Sequence, residues 1–200
     1  MFPLGTVLFP SLYLPLHLFE PRYLELAVDC LGGDQEFGVV LIERGSEVGG
    51  DDVRSAVGTV ARIVESSRLD DGRVLLATVG TRRIRITELL PDDPYPRAEV
   101  EGWEDPPAGP ALAGLQTEAT ALLRRTLVLK AELDEPAAPV DIALSDDPVL
   151  SGYQASAVAP LGPLDQQRLL AAPTAEARAG LLVSLLDEEA DHLTRRLAAG

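Results

Sequence analysis

The sequence predicts an α+β fold, with a β-rich first half that carries one inserted helix and a second half that is helical throughout. Three observations predict it. Apolar residues recur with a period of two before residue 104 and at helical spacing after it. Eight of the nine aromatic residues precede residue 104, and only Tyr153 follows. The stretch EDPPAGPA at 104–111 is a proline-rich linker between two differently built cores, so domains are expected at 1–104 and 110–200.

In the first half, Leu12, Leu14, Leu16 and Leu18 alternate with Ser11, Tyr13, Pro15, His17 and Phe19, which places the leucines on one face of a strand and the mixed set on the other. Pro15 has no N–H for a ladder, so this strand is expected at an edge or at a bulge. Pro21 opens a helix whose apolar stripe is Tyr23, Leu26, Ala27, Cys30 and Leu31, with Gly32 placed to end it. Glu20-Pro21-Arg22 is therefore a strand-to-helix corner. Proline is tolerated at a first helical position, and a carboxylate just before it suits the positive end of the helix.

Further strands are predicted over 37–43, 56–66, 72–80, 82–89 and 96–103. Asp71-Gly72 is a hairpin signal. Arg83, Arg85 and Thr87 alternate with Ile84 and Ile86, which predicts one wet face and one dry. The loop around Gly49, Gly50, Asp51 and Asp52 is expected to be mobile.

In the second half, Leu112, Leu115, Ala119, Leu122, Leu129 and Leu133 predict a long helix that ends at Asp134-Glu135-Pro136. Asp147 caps a short helix through Tyr153, with Pro148 in its first turn. Pro163 opens another through Leu170. Thr174 caps the last helix, whose stripe is Leu182, Leu186, Ala190, Leu193 and Leu197.

The formal charge of −15 is spread evenly. Residues 1–101 hold 10 bases and 17 acids, and residues 102–200 hold 7 and 15. Such a surface repels a phosphate backbone and anionic lipid, so nucleic acid and membranes are poor partners. The single cysteine, Cys30, fits a reducing compartment. The apolar run from Phe2 to Phe19 is broken by Pro3, Gly5, Pro10, Pro15 and His17 and has no basic residue before it, so neither a secretory signal nor a membrane span is expected. These features predict a cytoplasmic protein. Sixteen of the 17 bases are arginine, a bias typical of a GC-rich, bacterial genome.

FPLGTVLFP at 2–10 followed by LPLHLFEPRY at 14–23 resembles the N-terminal, substrate-binding domain of the bacterial Lon ATP-dependent protease. VGTRRIRI at 79–86 is similar to that family's glycine-arginine-apolar strand. LDQQRLL at 164–170, with Arg178 and LLVSLL beyond it, is similar to its helical tail. The resemblance spans nearly the whole chain and implies a small PUA-like β-barrel followed by a helical bundle. A P-loop needs Gly-x-x-x-x-Gly-Lys-Ser/Thr, yet the one lysine, Lys130, stands between Leu129 and Ala131. The expectation is a stand-alone relative of the recognition domain, without the motor or the Ser-Lys peptidase, and without catalytic residues, cofactor or metal.

Cys30 and His17 are candidates for a nucleophile and base, but Cys30 belongs to an apolar stripe and core packing is the favoured reading. His17 and His192 lie in different halves with no ligand spacing around them. Glu20, Pro21, Arg22 and Tyr23 are read as a structural corner with an ion pair. The candidate binding residues are Phe9, Tyr13, His17 and Phe19. Aromatic and semi-polar side chains on an edge strand offer both apolar pockets and unpaired backbone groups to an extended peptide. Packing of this face against the helical half is an equally open reading.

The resemblance implies a non-catalytic module for unfolded or exposed apolar polypeptide segments, an adaptor working with a separate AAA+ protease or chaperone. RNA binding through a patch of Arg82, Arg83 and Arg85 is the alternative, since PUA-like barrels can bind RNA.

Overall fold

The computed structural model describes residues 1–45 and 53–199, so the expected mobile loop around Gly49, Gly50, Asp51 and Asp52 lies outside the described residues. The fold is α+β and forms two compact units, Met1–Glu104 and Asp105–Gly200.

The first unit holds strands β1 (Phe2–Leu4) and β2 (Tyr13–Leu18), helix α1 (Pro21–Gly32), and strands β3 (Glu36–Arg44), β4 (Val53–Arg68), β5 (Val74–Leu90) and β6 (Arg97–Gly102). The strands pair in the order β1-β3-β4-β5-β2, and β6 is joined to β5. One edge of β5 is shared: β2 covers Val74–Val79 and β6 covers Ile84–Leu90, both antiparallel.

Two expectations are corrected here. The 72–80 and 82–89 segments form one 17-residue strand, because Gly80 stays paired with Ala61 and the ladder resumes at Arg83 after a register shift instead of turning. The expected closed barrel is an open sheet: β1 pairs only with β3 and β2 only with β5 among the described residues. Pro15 lacks a backbone donor on the open edge of β2, and β1 is only three residues long.

Several sequence signals are realised directly. Gly72 sits at φ 89° in the β4–β5 turn, a backbone state that glycine enters without strain. Pro21 occupies the first turn of α1, and the Glu20 carbonyl accepts from both Tyr23 and Leu24 N–H. The helix runs through Gly32, with Gly33 as its C-cap. Tyr23, Leu26 and Ala27 are buried, Cys30 is partly buried, and Leu31 is exposed. These helix residues pack with Phe2, Leu16, Leu18, Phe37 and Leu76 from the sheet. Phe2 and Tyr23 are in ring contact at 4.2 Å.

The second unit holds α2 (Leu112–Glu132), α3 (Pro148–Val158), α4 (Pro163–Leu170) and α5 (Ala175–Ala199). The Asp147 carboxylate accepts from Val149 and Leu150 N–H, and the Thr174 hydroxyl accepts from Ala177 N–H, so both caps are made. α3 continues beyond Tyr153 to Val158. The α2 stripe differs from expectation: the buried positions are Leu112, Gln116, Ala119, Leu123, Thr126 and Leu127. Two of them are polar. Gln116 donates to the Pro148 carbonyl, and the Thr126 hydroxyl bonds the Leu122 carbonyl of its own helix. The expected stripe shares Leu112 and Ala119 with this face, and a stripe drawn through apolar residues alone could not find Gln116 and Thr126. α2 and α5 run parallel, since Leu112 packs with Ala175 and Ala179 at one end while Glu135 pairs with Arg196 at the other.

This unit is fastened by a buried charge. Arg178 of α5 is 1% exposed; its Nη2 donates to both oxygens of Asp105 at 2.8 and 3.1 Å and to the Tyr153 hydroxyl at 3.0 Å. Tyr153 in turn donates to Asp105, and the guanidinium lies 3.8 Å from the centre of its ring. Asp105, the second residue of the linker sequence, is thereby tied to α3 and α5.

Candidate functional site

The outward face of β2 carries Tyr13, Pro15 and His17, and Phe19 follows directly; all four are exposed, Tyr13 at 62% and Phe19 at 60%. Leu16 and Leu18 point into the core, and Leu12 and Leu14 are partly buried beside it. The alternation read from sequence is therefore real.

Antiparallel pairing extends this face sideways. Tyr13 stands opposite Val79, Pro15 opposite Ala77, and His17 opposite Leu75, which is 40% exposed. The result is a two-strand apolar strip, bordered on β4 by Arg62, Glu65 and Ser67. The β5 members of this strip were not singled out from sequence. Their signal was present, since Leu75, Ala77 and Val79 alternate with buried Leu76 and Thr78.

Phe9 is separated from this face, being 0% exposed. The Thr59 hydroxyl donates to the Leu8 carbonyl at 2.6 Å, and Gly80 lies against the Phe9 carbonyl so closely that a Cβ would collide with it. A glycine inside a strand pattern signals such a close backbone approach.

Glu20, Pro21, Arg22 and Tyr23 form the corner. Arg22 Nε and Nη2 each lie 3.0 Å from Glu20 Oε2, and the guanidinium rests 4.6 Å from the centre of the Tyr23 ring. Glu20 makes no side-chain capping bond, so its carboxylate serves the ion pair.

Beside the corner lies a groove of about 220 Å³, lined by Phe2, Pro3 and Leu4 of β1, by Pro15–Leu18 of β2, and by Phe19, Glu20 and Tyr23. It is the gap between the two terminal strands of the open sheet. The direction of the β2 backbone groups follows from the ladder. Gly80 N–H donates to the Leu12 carbonyl, so the even-numbered residues of β2 bond β5. The N–H and C=O of Tyr13 and His17, and the C=O of Pro15, then point to the other edge. Proline is tolerated here because its missing donor faces away from the ladder.

The arginine patch is internally committed. Arg82 pairs with Glu36 at 2.8 Å, and Arg83 is buried, which corrects the expected wet face of that strand. Arg83 and Arg85 both stack on Trp103, at 4.4 and 4.3 Å, and Arg85 faces Glu101 at 3.7 Å. Burial would raise the carboxyl pKa of Glu36, but hydrogen bonds from Arg62 and Arg82 outweigh it and hold the group below its ordinary value.

Burial pushes the Cys30 thiol up, away from thiolate character, and its Sγ donates to the Glu36 carbonyl at 3.4 Å. His17 meets Phe19 edge-on at 6.4 Å. Among the described residues no group of three His, Cys, Asp or Glu side chains is arranged to hold a metal, and no helix is long and apolar enough to cross a membrane.

Residues 1–188 match the model of the ATP-dependent protease La (LON) substrate-binding domain. The Lon protease of Roseiflexus castenholzii is 30% identical over 192 residues, covering 95% of this chain and 24% of that protein. Lon protease 2 of Myxococcus xanthus is 32% identical over 145 residues, covering 70% of this chain and 17% of that protein. The chain thus spans about a quarter or less of the length of these relatives. The Lon N-terminal domain protein from Xanthomonas campestris superposes with a TM-score of 0.64 at 29% identity, covering 92% of this chain and 95% of that one. The N-terminal domain of the Mycobacterium avium complex Lon protease gives the same TM-score at 18% identity and supports the fold.

Proposed function

The chain belongs to the Lon substrate-binding domain family, and from that premise we propose that it captures unfolded or exposed apolar segments of polypeptides on the outward β2–β5 face, as a recognition module without chemistry of its own. The matched family is the substrate-binding part of the protease, which is not its catalytic part. The observation that carries the reading is the strip of exposed Tyr13, Pro15, His17 and Leu75 with half-buried Ala77 and Val79, extended by exposed Phe19. Solvated apolar surface concentrated on one sheet face marks an interaction site. Its borders are polar, as in a recognition surface with a dry centre and a wet rim.

The adaptor role follows from the same reading: captured segments are passed to an AAA+ protease or chaperone, and the work is placed in the cytoplasm, where a lone thiol stays reduced. RNA binding has less support, because Arg82 and Arg85 face carboxylates and Arg83 is buried.

A photo-crosslinker at position 13 tests the reading, with a reduced and alkylated unfolded protein as bait and exposed position 118 as control. Crosslinks concentrated at 13 are expected. Equal yields from the two positions would overturn the proposal.

A further inference from the structure

We propose that the gap between β1 and β2 takes one extended polypeptide segment as an added strand on the open edge of β2, and that the preferred segment alternates apolar and small polar residues between Lys or Arg flanks. The proposal rests on the polypeptide-binding reading above and adds to its outward face the neighbouring open edge of β2.

Three observations lead to it. The edge is equipped for pairing: Tyr13 and His17 turn an N–H and a C=O toward the gap, and Pro15 turns a C=O, giving five backbone groups along one line. No strand among the described residues covers that edge. Main-chain bonds of this kind give affinity without demanding one sequence, which suits a module that meets many clients.

The walls are equipped for side chains. Phe19, Pro15 and His17 are exposed along the gap, over a largely buried floor of Phe2, Leu4, Leu16, Leu18 and Tyr23, so one side of an added strand meets apolar surface. At about 220 Å³ the space falls below the roughly 300–1,000 Å³ of small-molecule sites and fits side chains projected from a strand that itself lies at the surface.

Charge selects the flanks. The chain carries −15 overall, and its first 101 residues carry −7 of that. Glu20 is the only acid among the lining residues and is already paired with Arg22, so the selection comes from the field of the unit. Lys or Arg flanks are drawn in and Asp or Glu flanks are repelled, more strongly at low salt.

Pro15 also sets a register. It leaves one donor missing in the middle of the edge, so the bound segment needs no acceptor opposite that position, and pairing concentrates at Tyr13 and His17.

The test uses fluorescence anisotropy with the 200-residue chain and a labelled decapeptide of alternating Val and Thr between Lys pairs. Two derivatives carry N-methyl groups on alternate residues, one set on odd and one on even positions, and a third replaces the Lys pairs by Glu pairs. Strand addition predicts that one N-methyl set loses about tenfold or more in affinity while the other binds like the parent. It also predicts that Glu flanks weaken binding at low salt. If both N-methyl sets bind like the parent, added-strand pairing is overturned while polypeptide recognition stands. Equal affinity for Lys and Glu flanks overturns the charge preference. If neither the parent peptide nor an unfolded protein binds, both this inference and the recognition reading fall.

Discussion

Arg178 and Arg22 look alike in the sequence, each a lone arginine among apolar residues, but they differ in what surrounds them. Arg178 is buried with a bidentate carboxylate, a tyrosine hydroxyl and a ring face. Truncating it leaves the nearly buried Asp105 carboxylate without its cationic partner. Arg178→Ala should therefore cost about 3–5 kcal/mol, seen as an earlier loss of helical circular dichroism in a urea titration. Arg22 and Glu20 keep some solvent, with side-chain exposures of 22% each. Arg22→Ala should cost less, about 1–2 kcal/mol, read from thermal melts. A change of equal size in the two variants would mean that burial does not govern these pairs. Phe9 teaches a related lesson. Its residue type suited a binding face, and the approach of Gly80 and Thr59 to the preceding loop buried it instead.

At the scale of elements, β5 is the organising strand of the first unit, since it pairs with β4 along most of its length and with β2 and β6 in turn on its other edge. Gly80 sits where the partner changes and where the Phe9 carbonyl crosses. A methyl group there collides with backbone on one side and with Thr59 at 3.1 Å on another. Gly80→Ala is expected to destabilise the chain by at least about 1–3 kcal/mol, measured by denaturant unfolding followed through the sole tryptophan, Trp103.

In the second unit the parallel pair α2 and α5 is tied beyond the helix ends by Glu135, whose carboxylate accepts from Lys130 at 2.6 Å and from Arg196. Those bonds, with Lys130 contributing most, hold its pKa down at about 2 against an ordinary 4.5. A depressed folded-state pKa stabilises above the unfolded value and is lost as pH falls, so the contribution fades between about 4.5 and 2. Glu135→Gln should flatten the slope of melting temperature against pH across that window and leave the slope above pH 5 unchanged. An identical acid slope in the variant would assign the loss to other carboxylates.

For the whole molecule, the binding face and the supporting core are separable because β2 and β5 alternate between them. Tyr13→Asp and Leu75→Asp each place a charge on the exposed strip without touching Leu16, Leu18 or Leu76 beneath. Both variants should weaken capture of unfolded polypeptide about tenfold or more, as measured by anisotropy, while stability stays within about 0.5 kcal/mol of the parent. Loss of binding accompanied by unfolding would mean that the strip is structural.

The α+β division, the α1 corner, the caps at Asp147 and Thr174, the Asp71-Gly72 turn and the alternation of β2 were legible in the sequence, because each depends on residues within a few positions of one another. Distant partners decided the rest. The sheet is open and not a closed barrel, Arg83 is buried under Trp103, α2 turns Gln116 and Thr126 inward, and Val79, Ala77 and Leu75 complete the apolar strip. Local spacing sets which face of a strand or helix a side chain takes, whereas burial and pairing depend on which other surface arrives there, and that surface comes from tens of residues away.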